Sequence, residues 1–347
     1  MKENGVDHIY SNEWSATLRD ADPDPQLLPQ PVNELQTEGP IMKAHLLNSY
    51  GPDSIVLGEA DEPTAAAGQV KVAVEAIGIN PLDWKFSNGY LAEMFPLPLP
   101  AVLGTDIAGT VLEVGDGVEG FTVGNRVVGF ADSGAFAEKA VTGAARLAVI
   151  PDGLTAEQAV TLATSGETSQ RGLSLLAPAP ASTVVVNGAA GAVGSAVVQI
   201  LVADGHKVIG TASPDNHDYL RSLGATPVTY SETMVDEITA AAPQGVDAAF
   251  DTAGQEFIAR VAGLVPASRI VTIVDFAAGA QGAIVAAGDP TALTAETLPP
   301  VLDLAARGAF RTEIARKFPF EQVPEALALS QGGHLRGKIV VSGANLA

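Results

Sequence analysis

The chain predicts an α/β protein in two parts, a compact β-rich region and a doubly wound parallel sheet, on three observations. Short apolar stretches broken by Gly and Pro run on from Met42, as in a β-rich domain. From about Thr164 to Leu304, β-branched runs alternate with helical stretches, as in a parallel sheet covered by helices. Within that region, TVVVNGAAGAVGSAVVQI (183–200) joins a strand, a glycine turn and a helix.

In chain order, residues 1–41 are polar and proline-dotted (DADPDPQLLPQPVNELQTEGP) without periodicity, and are expected to form an extension, either a tail or an arm packed on a neighbour. Residues 42–163 form the first part of the β-rich domain, with strands expected at 43–47, 70–77, 107–114, 126–129 and 135–141. Residues 164–304 form the doubly wound domain, with strands expected at 183–187, 208–211, 227–230, 248–251 and 270–273. Residues 305–347 return to the β-rich domain, with a helical stretch at 323–329 and a strand at 338–341.

Composition narrows the function. Against 40 Asp and Glu stand 19 Lys and Arg, a net charge of −21, which argues against nucleic acid or an anionic membrane surface as partner. The chain has no cysteine, so no disulfide, no thiolate nucleophile and no cysteine-ligated metal. The start, MKENGVDHIYSNEW, lacks the apolar core of a signal peptide, and no apolar run is long enough to span a bilayer; a cytoplasmic protein is expected.

The glycine turn carries the chemistry. Val184–Val186 are β-branched, as a buried parallel strand requires. Gly188, Gly191 and Gly194 follow, with Ala190, Ala192 and Val193 between them, and a helix is expected from Ser195. Free N–H groups, the helix dipole and absent side chains together suit a pyrophosphate. The spacing is A-x-G-x-x-G, with Ala189 in the first glycine position, so a packed turn holding nothing is the alternative. A second strand at 206–211, one helix length on, supplies the βαβ context that favours a dinucleotide. Gly194 is expected to face the pyrophosphate, where a larger side chain would clash with it.

An NAD site places Asp or Glu about 20 residues beyond the glycines. Here Ala212 and Ser213 stand at those positions. A hydroxyl without a carboxylate suits a 2′-phosphate, with His217, Arg221 and Tyr230 in reach, although Asp215 opposes it. NADP is therefore preferred to NAD.

From Met42 onward the chain resembles a zinc-independent medium-chain dehydrogenase/reductase of the quinone oxidoreductase-like branch. The resemblance rests on ordered motifs: MKAHLLNSYG (42–51), GINPLDWKFSNG (78–89), LGTDIAGTVLEVG (103–115), GAFAEKAV (134–141) and IPDGLTAEQAVTL (150–162). NGAAGAVGS (187–195), LRSLGA (220–225), VDAAFDTAG (246–254) and GGHLRGKIVV (332–341) complete it. It implies a GroES-like catalytic domain and a Rossmann NADP-binding domain, NADPH-dependent reduction of quinones or enones, and a homodimer. Zinc-dependent members place cysteine near the position of Asn80 and histidine at that of Thr105, and the five histidines show no ligand spacing; no metal is expected.

Without a Lewis acid, hydride transfer to an electron-poor carbon is the easier chemistry, because a quinone or enone delocalises the arriving charge onto its own oxygen. Asn80 offers an amide donor for the substrate carbonyl or the nicotinamide ribose. Asp83 would fix that loop through backbone N–H groups, or simply cap a turn. Tyr90 and Lys85 would reach the pocket mouth, Lys85 more readily staying in solvent, while Trp84 and Phe86 pack. Thr168, in SGETSQRGL, matches a family threonine near the nicotinamide, although Ser169-Gln170 replace the usual Ala-aromatic pair. Thr252, in the Asp251–Gly254 turn, and Ile273, Val274 and Phe276, beyond a strand end, lie where ligands collect in such folds, Phe276 as core or substrate wall. Two other readings stay open: reduction of an enoyl thioester, and a non-catalytic NADPH-binding regulator or crystallin-like protein.

Overall fold

The computed structural model describes residues 39–288 and 292–343, so the expected extension at 1–41 lies almost wholly outside the described residues. First come β1 (Ile41–Leu47), β2 (Ile55–Asp61), β3 (Gln69–Ile79), α1 (Pro81–Ser87), β4 (Ala101–Val102), β5 (Asp106–Val114), β6 (Arg126–Phe130), β7 (Lys139–Gly143) and β8 (Leu147–Val149). Helices α2 (Ala156–Val160) and α3 (Ala163–Leu176) lead into β9 (Thr183–Asn187), α4 (Ala192–Ala203), β10 (Lys207–Ala212), α5 (His217–Ser222) and β11 (Thr226–Thr229). Then follow α6 (Met234–Ala241), β12 (Ala248–Asp251), α7 (Phe257–Val261), β13 (Ile270–Thr272), β14 (Ile284–Val285), α8 (Leu298–Ala306), β15 (Ile314–Phe318), α9 (Val323–Gly332) and β16 (Lys338–Ser342).

Valines 184–186 of β9 are fully shielded, because parallel strands are covered on both faces. Around β9 a six-stranded parallel sheet runs in the order β11-β10-β9-β12-β13-β14. Counted along the chain, that is the doubly wound order, with its reversal between β9 and β12. Ligands collect at such a reversal, beyond the carboxyl ends of the strands.

The β-rich part holds a seven-stranded sheet, β15-β16-β3-β5-β6-β8 with β7 also on β3, and a three-stranded sheet, β2-β1-β4. The C-terminal β16 pairs antiparallel with β3, from Ile339 opposite Ile79 to Ser342 opposite Ala76, so the chain's end returns to its first half. Valines 70, 72 and 74 of β3 meet Ile107 and Val111 of β5 in the core. Among the described residues no helix is long and apolar enough to cross a membrane.

Two expectations need correcting. The stretch 135–141 is not one strand: Phe136 O accepts from His45 N and Glu138 N donates to Lys43 O, both on β1, whereas β7 begins at Lys139 and pairs with β3. A single apolar run passes between two sheets there. The helix after the glycine turn begins at Ala192, not Ser195, with Gly191 as its N-cap.

Candidate active site

The glycine turn sits at the sheet's reversal and is tied down from beneath by a buried polar row. The Asn187 amide donates to Asp251 Oδ1 at 2.8 Å and accepts from Thr211 Oγ1 at 2.6 Å; Thr272 Oγ1 donates to Asp251 Oδ2 at 2.9 Å. Asp251 Oδ1 also accepts from the backbone of Ala253 and Gly254, at 3.1 and 2.9 Å. Each buried donor thus meets an acceptor, and the ends of β10, β9, β12 and β13 are locked in register.

Each glycine has its own reason. Gly188 adopts φ +72°, and a Cβ there would lie 2.7 Å from Thr252 Oγ1. A Cβ on Gly191 would meet only Gly188 O, at 3.4 Å, so its outer side is open. A Cβ on Gly194 would lie 2.2 Å from Gly188 O. Gly194 is therefore needed for close packing of α4 on the turn, and the expectation that it faces the pyrophosphate is corrected; the open position is Gly191. The 12-residue α4 starts there with no side-chain cap and no acid in its first turn, which suits an anion. The alanine in the first glycine position is accommodated by a facing glycine: a Cβ on Gly210 of β10 would lie 2.8 Å from Ala189 Cβ.

Around this turn the expected cofactor residues separate into exposed and occupied. Ser213 is exposed at the tip of β10 and accepts from Asn216 Nδ2 at 3.0 Å. Among the described residues, the buried His217 Nε2 has no hydrogen-bond partner. Arg221 pairs with Asp218 at 2.7 Å on the surface. Tyr230 is engaged: its hydroxyl donates to Gln255 O, and Arg260 stacks 5.0 Å above its ring. Thr252 Oγ1 donates to Asn187 O at 2.7 Å, so this side chain holds the turn. Thr168 is buried, donates to Glu167 Oε2 at 3.0 Å, and accepts from Arg171. Ala190 O and Val193 O accept from Gly337 N and Ser169 Oγ, leaving Ala192 and Val193 half-buried in the first turn of α4. Ile273 and Val274 are half-buried beyond β13, and Phe276 is buried.

The second half of the site is a buried charge cluster. Asn80 caps α1, and its N–H donates to Asp83 Oδ2 at 2.7 Å, so Asp83 acts as the cap partner. Burial pushes the Asp83 carboxyl up to about 7; the Asn80 N–H opposes that, and the negative charge of Asp106 adds to it. Asp106, fully buried, pairs with Lys338 Nζ at 2.9 Å and accepts from Thr164 Oγ1 at 2.5 Å and Thr105 Oγ1 at 3.2 Å. Lys338 Nζ also donates to Asn80 Oδ1. Tyr90 packs edge-on against Trp84 at 6.0 Å. Lys85, expected in solvent, is half-buried, and burial lowers its pKa.

Two adjacent residues connect the halves. Gly337 N donates to Ala190 O in the glycine turn at 3.1 Å, and the next side chain, Lys338, holds Asn80. Thr164 and Thr168, one helical turn apart on α3, touch the Asp106 cluster and the Glu167–Arg171 pair. Arg336 lies 5.4 Å over the Tyr219 ring and pairs with Glu313 at 2.6 Å. Sequence reading missed Lys338, Asp106 and Arg336. The available signal was a charge inside an apolar run, LGTDIAG and GKIVV.

This architecture has relatives. Residues 66–162 match the family described as "Alcohol dehydrogenase GroES-like domain" and residues 223–341 that described as "Zinc-binding dehydrogenase". Over 342 residues the chain is 30% identical to the "Chloroplast envelope quinone oxidoreductase homolog" of Arabidopsis thaliana, covering 87% of this chain and 99% of that protein. The chain belongs to the medium-chain dehydrogenase/reductase family. This dehydrogenase/reductase also superposes on the quinone oxidoreductase from Coxiella burnetii (TM-score 0.78, 28% identity, 87% of this chain and 99% of that one). The CurK enoyl reductase matches with a TM-score of 0.77 at 25% identity, over 86% of this chain and 99% of that one. Membership makes the chain an oxidoreductase and implies a nicotinamide cofactor.

Proposed function

We propose that the chain is an NADPH-dependent, zinc-independent reductase of quinones or α,β-unsaturated carbonyl compounds. The observation that carries this is the junction at Gly337–Lys338, where the open glycine turn and the Asn80 pocket meet through neighbouring residues. When bound, the reduced nicotinamide supplies hydride. The chain's own work is to bind and orient. The N-terminus of α4 at Gly191 receives the pyrophosphate, with Arg336 alongside. Ser213 and His217 receive the 2′-phosphate; Ala212 and Ser213, not a carboxylate, hold the positions that would claim a 2′-hydroxyl, and Asp215 beyond them is exposed. Asn80 donates to the substrate oxygen on which negative charge gathers. Water delivers the proton.

The donor set supports a reaction without zinc. The chain has no thiolate to offer, and Thr105 and Asn80 face Asp106 and the Lys338 ammonium. Lys338 already balances the charge of Asp106, so a second cation beside it would be repelled. The likeness to the CurK enoyl reductase supports a second reading, in which the same hydride chemistry acts on an enoyl thioester. We also infer that 42–163 and 305–347 form one domain around β3 and β16 and that 164–304 forms the other. Pairing of two copies along the open edge of β14 would give the homodimer.

Loss of NADPH absorbance with panels of quinones, enones and enoyl thioesters tests the reading, with turnover expected on the first two. Turnover on thioesters alone would select the second reading, and tight NADPH binding without any turnover would make the chain a regulator. For the coenzyme, Ser213→Asp should swing preference toward NADH by restoring a ribose-binding carboxylate. An unmoved NADPH/NADH ratio would remove the 2′-phosphate assignment.

A further inference from the structure

We propose that Lys338 is a positioning residue that fixes the polarity of the Asn80 amide and turns its N–H donors toward the substrate carbonyl. This rests on the reductase reading above. An ammonium carries hydrogens and no lone pair, so it can only donate. Lys338 is 4% exposed, and Asp106 Oδ2 anchors its Nζ at 2.9 Å; from there it donates to Asn80 Oδ1. A flipped Asn80 would press an NH2 group against that ammonium, donor to donor, among buried groups. The oxygen end is therefore held on the buried side. On the nitrogen end, the sole protein acceptor among the described residues is Gly78 O at 3.5 Å, the outer limit of a hydrogen bond. At least one amide hydrogen is left for a ligand.

The arrangement has an electrostatic consequence as well as a steric one. A positive charge on the carbonyl oxygen of an amide polarises its N–H groups, and the effect strengthens in a low dielectric. The chain Lys338–Asn80–substrate oxygen thus favours the state in which that oxygen carries negative charge. Space for the lysine stem is set by Gly78, where a Cβ would come 3.0 Å from both Lys338 Cε and Asp106 Cβ. The Thr164 and Thr105 hydroxyls occupy Asp106 Oδ1, and Oδ2 accepts from Lys338 Nζ at 2.9 Å and from the Thr164 N–H at 3.3 Å.

The test is a mutant cycle in the full-length protein, with NADPH and whichever quinone or enone the wild type reduces. Asn80→Ala and Lys338→Met should each lower kcat, by about tenfold or more, with little change in the dissociation constant of NADPH. The double variant should be no slower than Asn80→Ala alone, and Lys338→Arg should recover most of the rate. Because Lys338→Met strands the Asp106 charge, Asp106→Asn/Lys338→Met is run beside it to keep a folded, neutral pair. Binding of the saturated ketone product of an enone, or of the unreduced quinone, to the NADP⁺-loaded protein, read by calorimetry, should weaken in parallel and with the same non-additivity. Additive losses, or a fall in NADPH affinity in place of kcat, would overturn the role given to Lys338 and leave the reductase standing. A wild type that turns over no carbonyl substrate would overturn both.

Discussion

Gly191 and Gly194 share one turn, yet a side chain would fail at each for a different reason. A Cβ at Gly194 meets its own backbone at 2.2 Å, a contact that cannot yield, whereas at Gly191 the space outside is open. Gly194→Val should therefore cost roughly 3 kcal/mol or more of stability, read as a lowered Tm. Gly191→Val should lower Tm much less, by the loss of a good N-cap residue alone, and raise the NADPH dissociation constant about tenfold or more, roughly 1.4 kcal/mol. Equal losses of Tm for the two would refute the division of labour. Asp83 gives a second residue-scale test. Its folded pKa, about 7, lies above the 3.8 of a free carboxyl, so between those values the unfolded chain is ionised while the folded one keeps its proton. Stability from this group is whole below 3.8 and is lost as pH rises to about 7. Asp83→Asn retains an acceptor for the Asn80 N–H and cannot ionise. Its Tm relative to the wild type should climb as pH rises from about 4 to 7 and then level off. A flat difference would show that Asp83 does not titrate there.

Between elements, the turn and the neighbouring strand are matched in volume. Ala189 carries a methyl where the usual spacing has glycine, and Gly210 of β10 gives up its own to make room. Gly210→Ala should destabilise by about 1–3 kcal/mol through overpacking. Adding Ala189→Gly should restore part of that, since the contact with the flexible Leu220 Cδ1 at 3.0 Å remains. Independent, additive effects on unfolding free energy would deny the pairing. The same scale shows what was legible in the chain. Parallel strands such as β9 and β12 announce themselves because burial on both faces demands an unbroken apolar run. Strand β15, with Arg316 and Lys317 exposed at the sheet's edge, gives no such run, and the 135–141 stretch hides a change of sheet that only long-range pairing decides. The glycine turn was legible because backbone geometry restricts residue type locally. Lys338 was not, since a lone lysine at a strand's start looks solvated until Asp106, 232 positions away, is placed beside it.

At the scale of the molecule, a chain of net charge −21 must admit a coenzyme that is itself a polyanion. Positive side chains near the proposed phosphate sites are already balanced: Arg336 by Glu313 at 2.6 Å, Arg221 by Asp218 at 2.7 Å. Attraction at the turn then comes mainly from backbone N–H groups and the α4 dipole, which act only within the first turn. The long-range field is repulsive. Salt screens charges over a Debye length of about 30 Å at 0.01 M and about 8 Å at 0.15 M, so added salt should weaken the repulsion more than the short-range attraction. The association rate of NADPH, followed by stopped-flow quenching of the protein's tryptophan fluorescence, should therefore rise with ionic strength over that range. A protein that steers its coenzyme with a basic funnel shows the opposite slope, because screening removes the attraction. A rate that falls with salt would mean that an unpaired positive charge, and not the peptide N–H groups that open α4, draws the phosphates in.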